Sequence, residues 1–219
     1  MLELIKKDLL INSKTLIRFA AFGGLTALLF SRMEQGVAFI ALWSMMIPYM
    51  YLPTSCYTEE LNKGLAFCRS LPIPASTIVW SKFAGAVLVT LGSGAYVLLL
   101  AELSRYLGWL ELDPSFPLLA AVTSPWVAVF IMHGVFLLLF FSHGYKRAQS
   151  IVSMLPLLFL LPLIFPESAK AKLSSYFATL FGGRADLRSV LALLIALALG
   201  IEALLTWRAS KVFEAKDVP

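Results

Sequence analysis

The sequence predicts an all-α, polytopic membrane protein of six transmembrane helices, with an interfacial amphipathic helix before the first and a charged cytoplasmic helix between the second and third. Two observations carry that expectation. Of 219 residues, 59% are hydrophobic and 14% charged, where a soluble domain carries about a quarter charged residues, and mean hydropathy is +0.83. The apolar residues also gather in runs of about twenty, the length that crosses the hydrocarbon core, with short polar connections between them. One transmembrane domain, residues 1–219, is therefore expected, with little chain left for a soluble one.

Residues 1–14 place Leu2, Ile5, Leu9 and Leu10 on one side and Lys6, Lys7, Asp8 and Asn12 on the other, the pattern of a helix lying in the membrane surface. No apolar core with a small-residue cleavage site is seen there, so the first span, Leu16–Phe30, is expected to act as its own insertion signal. After a turn at Arg32 and Glu34 comes the second span, Val37–Cys56, with Pro48 and Pro53 as expected kinks.

Residues 57–82 are the long polar interruption of the first half. Leu61, Leu65 and Cys68 stand at helical spacing, with Glu59, Glu60, Lys63 and Arg69 on other faces, which predicts a short surface helix. Pro72 and Pro74 end it, and Ser76 is expected to cap the next helix. The third span, Phe83–Leu103, has a small-residue face of Gly85, Gly92, Ser93 and Gly94 for close helix packing.

A polar connection from Glu102 to Pro117 leads to the fourth span, Leu118–Phe141, and a brief basic loop, His143 to Arg147. The fifth span is Ile151–Phe165, interrupted by Pro156 and Pro162. Residues 167–188 alternate charges with aromatic and aliphatic side chains, as an extracellular re-entrant or interfacial segment would. The last span, Val190–Trp207, has Ala192, Ala196 and Gly200 as a small-residue stripe.

Twelve of the 18 lysines and arginines, among them Lys6, Lys7, Lys63, Arg69, Lys146 and Arg147, fall on the side of the termini. Basic residues mark cytoplasmic loops, so both termini and residues 57–82 are expected in the cytoplasm of a multi-pass plasma-membrane protein. The same topology accounts for the net charge of +5 without nucleic acid. Cys56 and Cys68 would then be free thiols in a reducing compartment.

Catalytic motifs are missing from the sequence. It has no G-x-x-x-x-G-K-[ST] to cradle a nucleotide and no H-E-x-x-H, and its two histidines and two cysteines are scattered, so neither a bound cofactor nor a metal is expected. Glu59-Glu60 is similar to the paired glutamates of CAAX-protease-like enzymes, but Gly64 stands where that motif needs arginine. His133 and Glu202 lie inside spans, where an ionisable side chain is by default a functional candidate. A neutral His133 hydrogen-bonded between helices ranks ahead of a ligand. Glu202 either lines a wet cavity or pairs near the cytoplasmic end.

Four stretches stand out together: Leu4-Ile5-Lys6-Lys7-Asp8-Leu9, Glu59-Glu60-x-x-Lys63, Ser70-Leu71-Pro72-Ile73 and Ser81-Lys82-Phe83. In their combination and spacing the chain resembles the membrane subunits of type-2 (type V fold) ABC exporters of the compact six-span bacterial group. Within that group it is similar to permeases that export phenol-soluble modulins. The resemblance implies a coupling helix within Tyr57–Arg69, with Tyr57, Glu59, Glu60, Lys63, Gly64 and Arg69 seated in a cleft of a separate ATPase subunit. Lys146 and Arg147 would make a second, smaller contact. Two ATPases, holding ATP and Mg, would assemble with two permeases, a homodimer ahead of a heterodimer, with membrane lipid around them. The alternative from the residues is a non-transport immunity or scaffold protein of the membrane.

Overall fold

The computed structural model describes residues 1–33, 36–110, 118–154 and 187–215. Its helices are α1 (Leu2–Phe30), α2 (Gly36–Leu61), α3 (Gly64–Ser70), α4 (Ala75–Tyr106), α5 (Leu118–Thr123), α6 (Trp126–His143), α7 (Tyr145–Val152) and α8 (Leu187–Ala215), and no strand occurs among the described residues. Among the described residues five stretches are long and apolar enough to cross a bilayer: α1, α2, α4, α5 with α6, and α8 from Arg188. Beyond residues 151–154 and 187–188, the expected fifth span and the segment 167–188 lie outside the described residues.

Several boundaries differ from those the sequence predicts. The N-terminal amphipathic stretch and the first span form one uninterrupted helix, α1, because Thr15 and its neighbours contain neither glycine nor proline to break it. The polar side of that stretch does not all face outward: Asp8 and Asn12 are buried, while Leu2 and Leu10 are exposed. The fourth span divides at Ser124-Pro125, where proline has no N–H to continue the ladder and starts α6. The expected loop at His143–Arg147 turns sharply at Gly144, whose φ of 86° suits glycine, and Lys146 and Arg147 then ride on helix α7. Ser76 is inside α4 and makes no side-chain cap; Pro74 holds the cap position, its carbonyl accepting from the N–H of Thr77.

The polar interruption also divides. α2 continues to Leu61, so Glu59 and Glu60 belong to its last turn and not to a separate surface helix. Lys63 then adopts left-handed backbone at φ 54° and starts the short α3, which ends just before Leu71-Pro72.

α4 packs against α1, α2, α6 and α8, and α6 makes its most extensive contact with α8. α1 and α8 are the outer helices of the described bundle, with Leu25, Leu29, Leu193 and Leu197 exposed. The Ala192–Ala196–Gly200 stripe faces outward and meets no helix among the described residues. α2 runs through both prolines. The Ser44 carbonyl that Pro48 cannot serve lies 3.4 Å from Ser93 Oγ of α4.

Candidate functional site

Four charged side chains meet where the N-terminal half of α1 packs between the end of α2 and the start of α4. Lys82 Nζ is 2.9 Å from Glu59 Oε2 and 3.2 Å from Asp8 Oδ2. Lys7 Nζ bonds the other oxygen of Glu59 and lies 3.3 Å from Asp8 Oδ1. Each carboxylate thus bridges both ammonium groups in a closed ring of alternating charge, with Ser55 Oγ 3.1 Å from Lys82 Nζ. Asp8 and Lys82 are 1% exposed and Glu59 4%; only Lys7 reaches solvent to a useful degree.

Burial at that depth costs several kcal/mol for each isolated ion. The ring offsets the cost because its net charge is zero and nearly every charge has two partners. Its consequence is mechanical: α1, α2 and α4 are held at one point, directly beneath the break that leads to α3.

Around this point the expected coupling residues sort into two groups. Lys63, Glu60, Lys146 and Arg147 are exposed, and Tyr57, Leu61 and Phe67 expose apolar area beside them. Glu59 turns inward, because the last turn of α2 points it at Lys82. Gly64 lies against Glu59, so a Cβ there would sit 3.4 Å from that residue's backbone. Arg69 lies over the Phe213 ring at 4.8 Å and donates to the Phe213 carbonyl at 3.2 Å, tying α3 to the last turns of α8. Burial pushes the Cys68 thiol up, so it stays a thiol beside Lys7, and Cys56 is likewise unpaired and buried.

α3 and α7 share a support. Glu60 Oε2 accepts a hydrogen bond of 2.7 Å from the backbone N–H of Tyr145, the first residue of α7. That N–H has no partner within the helix, and a carboxylate there also meets the positive end of the helix dipole. The Tyr57 and Tyr145 rings touch at 5.2 Å. The last turn of α2 therefore carries both exposed pieces.

His133 and Glu202 are brought together away from this end. His133 Nε2 is 3.0 Å from the Pro48 carbonyl, and its Nδ1 is 3.7 Å from Glu202 Oε1. Glu59 shares no interaction with either histidine, and His143 is exposed at the end of α6. Among the described residues no three His, Cys, Asp or Glu side chains gather as a metal-ligand set.

Sequence reasoning passed over Asp8 and Lys82 as site residues. A signal for Lys82 was present: it follows Trp80 and precedes the long apolar run of α4, a position where an amine needs a partner.

A family model described as ABC-2 family transporter protein matches residues 3–206. No curated protein and no solved structure matches the chain.

Proposed function

The chain belongs to the ABC-2 transporter family and is a multi-pass membrane component of an ABC transporter, and from that premise we propose that it is the permease of an ATP-driven exporter. A separate ATPase subunit, whose two copies hold ATP and Mg, grips the exposed surface of α3, the end of α2 and α7 from the cytoplasm. Lys63, Phe67, Lys146 and Arg147 make the contact, while Glu60 holds the two contact pieces in register. A second copy of the permease completes the path.

The observation that carries this reading is the charge ring. A force on α3 reaches the last turn of α2, and Glu59 passes it through Lys82 and Asp8 to α4 and α1. Such a connection moves three spans as one, which is how an arrangement of packed helices is switched rather than bent.

The cargo is an amphipathic peptide or similar hydrophobic or antimicrobial compound. An apolar groove of about 270 Å³ runs between α1, α2 and α4, lined by Ile17, Ile47, Val89 and Tyr96. It offers apolar wall with no charge to desolvate.

Co-expression with an ATPase encoded beside this chain tests the reading. Wild type should hold the ATPase through purification and stimulate its hydrolysis in nanodiscs. Lys63→Glu combined with Lys146→Glu should cut both at least fivefold. Unchanged retention and stimulation in that variant would remove the proposed contact surface.

A further inference from the structure

Near the middle of the bundle, three helices meet at their own midpoints: Pro48 in α2, His133 in α6 and Glu202 in α8. His133 is 2% exposed and Glu202 fully buried. Among the described residues Nδ1 of His133 and both carboxyl oxygens of Glu202 have no hydrogen-bond partner, and Thr206, one turn on along the same face of α8, is buried with its hydroxyl likewise unpaired.

The hydrogen-bond chemistry of the imidazole assigns its proton. Nε2 lies 3.0 Å from the Pro48 carbonyl, which can only accept, so Nε2 carries the hydrogen and Nδ1 presents a lone pair. What faces that lone pair is Glu202 Oε1 at 3.7 Å. An ionised carboxylate would set two acceptors against each other in a place closed to solvent, and would leave a charge with no counter-ion among the described residues. A carboxylic acid reverses this: its O–H can donate to the empty acceptor once the 3.7 Å separation closes to hydrogen-bond length.

We infer that Glu202 is a proton-binding site, held as a carboxylic acid that donates to His133 Nδ1 and so completes a hydrogen-bonded line from α8 through α6 to the α2 carbonyl of Pro48. The close packing of α6 on α8 supports that geometry. A Cβ on Gly134 would sit 3.0 Å from the Glu202 backbone and 2.9 Å from the Leu205 side chain, so glycine lets α6 and α8 pack tightly beside His133.

Among the described residues no other charge bears on the site. α5 has no titratable side chain, α4 has none between Lys82 and Tyr96, and His133 is the one such group in α6 between Trp126 and Ser142. On α2 the neighbours are Tyr49 and Tyr51, and on α8 the nearest is Arg208, exposed more than a turn away. Any arrangement of the bundle that admits water to Glu202 lets it release its proton, so acid favours the joined α2–α6–α8 arrangement.

Infrared spectroscopy of the full chain in lipid nanodiscs at neutral pH tests the assignment. Comparison with Glu202→Gln should show loss of a protonated carboxylic acid carbonyl band with no loss among the carboxylate bands. His133→Leu should keep that band and move it to higher frequency as its hydrogen bond disappears. Loss of carboxylate intensity in Glu202→Gln, or an unmoved band in His133→Leu, would overturn the proposal.

Wild type labelled with ¹⁵N-histidine gives a second measurement that depends on neither variant folding, with the exposed His143 assigned by His143→Gln. A neutral His133 with the hydrogen on Nε2 is expected; an imidazolium would overturn the assignment. The ATPase is absent from these measurements, so their failure would leave the exporter reading standing, and failure of that reading would leave the proton site standing.

Discussion

Lys82 shows how much a single side chain can hold in this protein. Of the two cations in the ring, Lys82 alone is fully enclosed, and its ammonium contacts both Asp8 and Glu59. Replacing it with methionine keeps most of its volume and leaves Asp8 and Glu59 with Lys7 alone. Breaking one partner out of a buried ionic group costs about 3–5 kcal/mol, so Lys82→Met is expected to lower the thermal unfolding midpoint sharply in detergent or nanodiscs. A midpoint within a degree or two of wild type would mean that the ring contributes nothing to folding. Glu59 gives the complementary lesson. Its place beside Glu60 and Lys63 suggests a solvated charge, yet one helical turn decides that Glu60 faces outward and Glu59 inward.

The last turn of α2 is the element that organises the α3 end. It extends past the expected span boundary, supplies Glu59 to the ring and Glu60 to the first amide of α7, and stops only where Lys63 turns left-handed. A charge-assisted bond at an exposed helix start contributes about 1 kcal/mol after solvent screening, or about fivefold in a local opening equilibrium. Glu60→Ala should therefore speed hydrogen exchange at the Tyr145 amide about fivefold and leave the amides at the middle of α6 unchanged. Equal exchange in both proteins would show that α7 stands without this tie. Elements also explain what pattern reading found and what it did not. Pro72 ends α3 visibly, but Pro125 lies in so apolar a stretch that periodicity runs straight across it.

At the scale of the whole molecule the expected orientation has a simple test. Cys56 and Cys68 are buried and are the only cysteines, so Lys63→Cys provides one accessible thiol. A membrane-impermeant maleimide should label it in inside-out vesicles and not in intact cells. Labelling from outside intact cells would place α3 and α7 away from any ATPase and remove the basis for the exporter reading.

Class, helix content and the position of most spans were legible in the sequence, because a run of about twenty apolar residues matched to the hydrocarbon core is a local property. The exposure of Lys63, Glu60, Lys146 and Arg147 was legible for a similar reason: charge on a short segment between apolar runs belongs in water. The ring and the midplane pair were not. Lys7 and Glu59 are 52 residues apart and Asp8 and Lys82 are 74 apart, and helices that are apolar on every side carry no mark of which faces meet. Which charges lie buried together is therefore decided by packing between helices, where the cost of an unpaired ion selects the one arrangement that neutralises it.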